Sequence, residues 1–121
     1  MPDLPMALCH TGMPARQDAE GLARWRAGLQ RLATLPQICL KISGLGMFDR
    51  GWTTERIRPI VRDAIAIFGP QRCMFASNFP VDSMMGGYRP LWQAYDDITS
   101  DFSDDERRAL FSGTANRFYR I

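Results

Sequence analysis

The stretch from Arg72 to Asp82 (RCMFASNFPVD) constrains the fold of this chain more than any other. It opens with the apolar run 73–75, becomes polar at Ser77 and Asn78, and reaches Pro80, which has no N–H to donate to a strand ladder. The pattern predicts a buried strand that ends abruptly and leaves polar side chains at its carboxyl end, where parallel α/β folds carry their chemistry. The alternative is that these polar residues only cap a turn.

Two other segments end in the same way. Leu4–His10 (LPMALCH) is a short apolar run that ends at a histidine, before a turn with glycine and proline. Ile38–Ile42 (ICLKI) is followed by Ser43 and is apolar except for Lys41. A buried parallel strand is nearly all apolar. Lys41 is therefore either a lysine that extends its ammonium to the strand end or a cation aimed at an anionic or carbonyl substrate.

The segments between these strands have the spacing of amphipathic helices. The first begins after an N-cap at Asp18 and ends by Pro36. The second starts at Thr53 or Thr54, or becomes regular only at Pro59, and stops before Gly69. The apolar faces consist of Leu22, Trp25, Leu29 and Leu32 in the first helix and of Ile57, Ile60, Val61, Ala64, Ile65 and Phe68 in the second.

The last third of the chain predicts helices only. Pro90 can open one helix, and Ser103 with Glu106 forms a capping-box pattern for another, with Gly113 as its C-terminal cap. The order is β-α-β-α-β-α-α, which implies a parallel sheet with right-handed crossovers. With 121 residues and no internal linker, the chain is expected to form one domain with a real core.

Composition excludes several classes of function. A net charge of +2, with arginines scattered along the chain, does not favour nucleic-acid binding. No apolar run approaches the ~20 residues that span a bilayer, and residues 1–10 lack the basic start of a signal peptide. We therefore expect no membrane partner and a cytoplasmic location. Cys9, Cys39 and Cys73 are widely spaced and are expected to be reduced, buried core residues without a zinc site.

Four short motifs now lie in register along the chain. They are His10-x-Gly12-x-Pro14, Lys41-Ile-Ser-Gly44, Phe75-x-Ser77-Asn78-Phe79-Pro80 and Gly113-Thr-Ala-Asn116-Arg-Phe-Tyr119. Together they resemble the amidohydrolase-2 family of metal-dependent TIM-barrel hydrolases, which includes lactone hydrolases. The resemblance spans essentially all 121 residues. It implies an α/β fold that is a partial TIM (β/α)8 barrel, in which residues 1–121 supply the last three βα units and the C-terminal helices.

The resemblance also implies site residues. His10 matches the family histidine at the end of the sixth strand, and Asn78 falls where many members carry an aspartate that binds metal and takes a proton from water. An amide does not titrate, so Asn78 cannot serve as that base. Asp82 could supply the missing carboxylate, but we favour the interpretation that it is a solvated loop residue. The family's N-terminal His-x-His motif has no counterpart here.

Two hypotheses of different class remain open. In the first, the chain is part of a hydrolase that acts on a small lactone, ester or amide-like substrate. His10 and Asn78 are then the catalytic candidates, His10 is also the metal-ligand candidate, and Lys41 and Ser43 bind substrate. The resemblance implies a divalent metal such as zinc in the complete barrel.

In the second hypothesis, the chain is a truncated or partner-dependent piece without activity of its own. Three βα units leave open sheet edges, so we expect self-association or a missing N-terminal barrel half as partner. Under the first hypothesis His10, Ser43 and Asn78 lie at one end of the sheet. A position of His10 and Asn78 at opposite ends or edges would speak against a single shared site.

Overall fold

A three-stranded parallel sheet forms the centre of the fold. The computed structural model describes residues 4–121. Its strands are β1 (Met6–Leu8), β2 (Ile38–Ile42) and β3 (Cys73–Phe75), in the spatial order β1-β2-β3. Ala7 pairs with Cys39 and Leu40 pairs with Cys73, so adjacent strands run in register. The predicted α/β class and the predicted partial barrel are thereby confirmed.

Helices follow each strand of the sheet. They are α1 (Ala19–Ala33), α2 (Leu45–Phe48), α3 (Thr54–Phe68), α4 (Tyr88–Ile98), α5 (Asp104–Arg108) and α6 (Thr114–Tyr119), with a π-helical turn at Ala109–Gly113 between the last two. Asp18 caps α1 by accepting from the Gly21 N–H, and Ser103 with Glu106 forms the predicted capping box at α5. The predicted starts of these helices are confirmed.

The hydrophobic core lies between the sheet and this helical layer. Alternate residues of β2 point into it, because side chains of a strand alternate between the two faces. The predicted apolar faces of α1 and α3 supply half of the remaining core residues. The core residues are Trp25, Leu29, Ile38, Leu40, Ile42, Leu45, Ile57, Ile60, Val61, Ala64, Ile65, Phe68, Cys73, Phe75, Leu91, Ala94, Tyr95, Ile98 and Leu110.

Helix α3 starts at Thr54, one of the two predicted starts, because the Thr53 side chain caps the helix by accepting from the Arg56 N–H. Pro59 lies inside this helix, so the alternative of a regular start at Pro59 was wrong. Two further local expectations were wrong. Gly113 does not cap a helix; its φ of −62° and ψ of −45° carry the helical backbone into α6. Cys9 is exposed, since β1 is an edge strand that has already ended at Leu8.

The other face of the sheet carries Cys39 and Lys41, which are half-buried. The Lys41 ammonium lies over the ring of Tyr119, 5.7 Å from its centroid. Helix α6, which carries Tyr119, also packs on the segment before β3, where Thr114 donates to the Pro70 carbonyl. The end of the chain therefore covers part of the face that would look into a closed barrel.

Tyr95 connects the carboxyl ends of β2 and β3 from the core side of the sheet. Its ring is fully buried and stacks on Phe75 at a centroid distance of 4.1 Å. Its hydroxyl proton is shared between the carbonyls of Ile42 (3.1 Å) and Ala76 (3.0 Å). Helix α4 thus fixes the spacing of two strand ends, directly below the residues that follow them.

We expect Tyr95→Phe to lower the free energy of unfolding by about 1–2 kcal/mol, because the substitution leaves buried carbonyl acceptors short of a donor while the ring packing stays. Urea unfolding followed by circular dichroism measures the change. Tyr88→Phe is the matched control, since Tyr88 is 56% exposed. Equal midpoints for the two variants would show that the Tyr95 hydroxyl does not hold the strand ends.

Candidate functional site

His10, Ser43 and Asn78 all follow carboxyl ends of strands, so the three side chains lie at the same end of the sheet. His10 follows β1 and Asn78 follows β3, which are the two edge strands among the described residues. Strands two positions apart are separated by about 10 Å. The expected common end is therefore found, but His10 and Asn78 lie at opposite edges of the three described strands, which speaks against a single site built by direct contact between them. The loop after β2 lies between them.

A buried threonine joins the first two strand ends. Thr11 is fully buried, and its hydroxyl donates to the Ser43 carbonyl (2.8 Å) while accepting from the Ser43 N–H (3.0 Å). The Trp25 indole N–H donates to the Thr11 carbonyl at 2.8 Å. The two hydrogen bonds between Thr11 and Ser43 hold His10, the residue before Thr11, over the loop that follows β2.

His10 contacts that loop closely. Its Nδ1 lies 3.4 Å from the Ser43 hydroxyl, and a Cβ added at Gly44 would lie 2.9 Å from the same nitrogen. Gly44 also has a φ of +70°, which L side chains rarely adopt. Only glycine therefore fits beneath the imidazole. The structure brings His10 and Ser43 together, as the shared-end expectation requires.

Asp82 lies beside Gly46, in the short helix α2 that follows this loop. A Cβ on Gly46 would lie 3.4 Å from Asp82 Oδ2 and 2.9 Å from Met85 Cβ. Asp82 is only 5% exposed. The expectation of a solvated loop aspartate was wrong, because the turn after Pro80 folds back over the loop and places this carboxylate inside.

Asn78 lies at the carboxyl end of β3 and bonds to Asp82. Its Nδ2 donates to Asp82 Oδ1 (2.9 Å) and lies 3.0 Å from the sulfur of Met47. The Asp82 N–H in turn donates to the Asn78 carbonyl at 2.9 Å. Asn78 has a φ of 56°, a left-handed conformation that asparagine tolerates better than most residues. The amide and the carboxylate form a fixed pair. We call the cluster at the carboxyl ends of the strands that comprises His10, Thr11, Ser43, Asn78 and Asp82 the mouth.

Lys41 is not brought into this cluster. Its ammonium lies over Tyr119 of α6, and its described contacts include none of His10, Ser43 and Asn78. Thr11 and Asp82 are the two residues that the sequence reasoning did not assign to the mouth. For Thr11 the available signal is its place between the histidine and Gly12, at the end of an apolar run. For Asp82 it is the four-residue spacing from Asn78.

The surroundings of the mouth keep nearby ionisable core groups neutral. Burial raises the pKa of the Tyr95 phenol, and the Asp82 carboxylate raises it further. Burial likewise raises the pKa of the Cys73 thiol. Neither group can serve as an anionic nucleophile near neutral pH. The chemistry open to the mouth is hydrogen bonding through Ser43 and Asn78, and ligand or proton binding at the His10 imidazole.

A complete metal site cannot be assembled from the part of the chain that the structure describes. Residues 4–121 contain no group of three or more His, Cys, Asp or Glu side chains that could hold an ion. His10 offers one imidazole, and the Asp82 carboxylate is occupied in part by Asn78. Catalytic zinc usually has three protein ligands, so the residues present do not fit such a site by themselves. No helix in this same range has the length and apolarity to cross a membrane.

The sequence is similar to proteins about twice as long or longer. It is 48% identical over 120 residues to the uncharacterized protein y4mH of Sinorhizobium fredii, and this match covers 99% of the chain and 40% of that protein. It is 38% identical over 127 residues to an L-fucono-1,5-lactonase of Burkholderia multivorans, covering 96% of the chain and 43% of that protein. The chain thus spans less than half the length of these relatives.

The fold is also similar to a solved structure. A crystal structure of an amidohydrolase from Burkholderia multivorans with bound zinc superposes with a TM-score of 0.88 at 37% identity, covering 95% of this chain and 43% of that one. The sequence profile of the Amidohydrolase family matches residues 1–121. The resemblance that the sequence motifs indicated is therefore confirmed, and the chain belongs to the amidohydrolase-2 family.

Proposed function

We propose that residues 1–121 are the C-terminal part of an amidohydrolase barrel, and that the barrel hydrolyses a small lactone, ester or amide-like substrate. The observation that carries this proposal is the segment from Ser43 into α2, in which Gly44 lies beneath the His10 imidazole and Gly46 lies beside Asp82. This segment lies between the polar side chains that follow β1 and those that follow β3. The lactonase name of a 38% identical relative supports the lactone among these substrates.

The reaction that suits this mouth is attack of water on a carbonyl. The water oxygen forms a bond to the carbonyl carbon, the C–O bond of the lactone ring breaks, and the ring oxygen leaves with a proton as a hydroxyl. Ser43 is placed to orient the His10 imidazole, and His10 can hold a substrate oxygen or move a proton. Asn78 hydrogen-bonds the attacking water or the developing oxyanion.

Lys41 belongs to this proposal as a substrate-binding candidate at a distance from the mouth. Its ammonium lies on the face that looks into a closed barrel, over Tyr119. A carboxylate or carbonyl group of a substrate that reached into the barrel would meet a cation there. The Lys41 ammonium would then either contact the substrate group and the Tyr119 ring together or move away from the ring.

The remaining elements must come from outside these 121 residues. A closed barrel typically needs ~250 residues, and within residues 4–121 the three strands leave both outer edges of the sheet without a paired strand. His10 would supply one ligand to a divalent metal such as zinc in the complete barrel, and the other ligands would belong to the preceding units. Activation of the nucleophile is then a property of the assembled barrel.

A second candidate is a partner-dependent or inactive piece. It is favoured by the two open edges and by the incomplete ligand set among residues 4–121. In that case the mouth residues are inherited from the family but carry no reaction.

The two candidates are separated by a histidine substitution in an assembled barrel. This chain would be joined to the part of the Burkholderia multivorans lactonase that precedes the matched region, and hydrolysis of L-fucono-1,5-lactone would be followed. We expect His10→Ala to lower kcat/KM about 10²-fold or more, as removal of a ligand or electrostatic contact commonly does. Cys9→Ala, at the exposed neighbouring position, should leave the rate within about twofold.

Equal rates for His10→Ala and Cys9→Ala in an active barrel would remove this mouth from the reaction. A folded barrel without turnover on any lactone, ester or amide-like substrate would favour the inactive piece.

A further inference from the structure

We propose that Asp82 is a positioning residue, whose buried carboxylate fixes the Asn78 side chain so that Asn78 acts at the mouth as a hydrogen-bond acceptor. This inference rests on the proposed function, which leaves open whether Asn78 holds the attacking water or stabilises the oxyanion. The first role needs an acceptor, and the second needs a donor. The orientation of one amide therefore decides between the two roles.

The orientation follows from the chemistry of the partners. An ionised carboxylate accepts hydrogen bonds and donates none, so the amide group that faces Asp82 Oδ1 at 2.9 Å must be Nδ2. The second N–H of the amide is directed to the Met47 sulfur at 3.0 Å. Both donors of Asn78 are then occupied, and the Oδ1 atom is what the amide can offer to a ligand.

The carboxylate has few other partners. Asp82 forms no salt bridge to a described lysine, arginine or histidine, although the residue is buried, with only 5% of its surface exposed. Burial of a carboxylate is costly unless it is hydrogen-bonded. The Asn78 amide is thus its main described stabilising contact, and rotation of that amide would set two acceptors against each other. Both the need of the buried Asp82 carboxylate for a donor and the repulsion between two acceptors therefore disfavour rotation of the Asn78 amide.

The backbone supports the same arrangement. Asn78 has a φ of 56°, a conformation that asparagine and aspartate both adopt more readily than other residues. The peptide N–H of Asp82 donates to the Asn78 carbonyl at 2.9 Å, so the two residues are tied through the main chain as well. An exchange of the two side chains, Asn78→Asp with Asp82→Asn, therefore keeps the backbone and the hydrogen bond while it reverses the donor and the acceptor.

That exchange gives a sharp test in the assembled barrel. Asn78→Asp alone places two carboxylates in contact and is expected to lower kcat about 10-fold or more, with little change in KM, because like charges at this distance repel. In the exchanged pair, the carboxylate at position 78 accepts from the amide at position 82 with one oxygen and offers the other to the mouth, so the acceptor is retained. We expect the exchange to recover kcat to within about threefold of the unchanged barrel. A folded exchange variant as slow as Asn78→Asp would overturn the proposal, since a donor to the oxyanion would then be the missing group.

The orientation can also be read without any turnover. The chain has two asparagines, Asn78 and Asn116, and Asn116 is exposed. Selective ¹⁵N-asparagine labelling of the assembled barrel gives a side-chain amide pair for each asparagine in it, and the pairs that disappear in Asn78→Asp and in Asn116→Asp assign these two, with Asn116 as the internal control. We expect one Asn78 proton to resonate downfield and to lose that shift in Asp82→Ala, while Asn116 stays unchanged. An Asn78 pair that does not respond to Asp82→Ala would overturn the proposal even in a barrel without lactonase activity.

Discussion

The 121-residue chain alone is expected to leave a lactone unhydrolysed at any enzymatic rate, whereas a barrel that contains the chain is expected to turn the lactone over. Hydrolysis needs a group that activates water, a group that activates the carbonyl, and a site closed to bulk solvent. Asn78 cannot be the base, and His10 has no second histidine in this sequence. The open sheet also admits water. Since enzymes commonly gain ~10⁶-fold or more over the uncatalysed reaction, loss of all three elements should be conspicuous.

The measurement is lactone hydrolysis, followed with and without added divalent metal, for the chain and for the assembled barrel at equal concentration. The His10→Ala form of the chain is the control for background and contaminating activity. Metal-dependent turnover by the chain alone, abolished in that control, would show that three βα units suffice. It would also remove the need for the preceding units in the proposed function.

The second large effect concerns association. Strands β1 and β3 each pair only with β2 among the described residues, and Met6 on β1 is 40% exposed. Beside β1 lies a groove of about 400 Å³, with Leu8, Trp25 and Leu29 in its lining. Exposed edges and apolar surface of this kind pair with other chains. Burying even a few hundred Å² of apolar area at ~25 cal/mol per Å² yields several kcal/mol, comparable with the stability of a small domain.

We therefore expect the isolated chain to sediment as dimers or larger species, with a mass that rises with concentration. Met6→Lys should shift the distribution towards monomer, because a lysine on an edge strand blocks pairing. Met84→Lys adds the same charge at an 86% exposed position away from β1 and should change little. A compact monomer with a sharp thermal transition at all concentrations would contradict this prediction.

Periodicity and strand-ending residues were sufficient for the main architecture. The apolar runs before His10, Ser43 and Asn78 predicted three parallel strands with one common end, and the stripes of α1 and α3 predicted the core. These features depend on local sequence and on the alternation of side chains, so they are visible in the chain itself. The strand bounds were predicted too long, since β1 and β3 pair over only three residues each.

The contacts between distant segments could not be predicted in the same way. Asp82 is buried because the turn after Pro80 packs on Gly46, which lies far earlier in the sequence. The Tyr95 hydroxyl reaches the carbonyl of Ile42, 53 positions away. Neither contact leaves a periodic signal. The positions of His10, Ser43 and Asn78 were placed at one end by topology, but their roles stay a prediction.

The hydrogen bond from the Trp25 indole to the Thr11 carbonyl gives the mouth an optical reporter. Indole emission depends on what the ring N–H contacts, and this N–H donates to the carbonyl of Thr11, the residue after His10, at 2.8 Å. Trp25 is 8% exposed, so its emission reflects this internal contact more than solvent. A ligand that displaces the backbone at His10 is expected to disturb the Thr11 carbonyl and with it the emission of Trp25. In a form of the chain whose two other tryptophans, Trp52 and Trp92, are replaced, the fluorescence of a residue on the outer helix then reports on the strand ends.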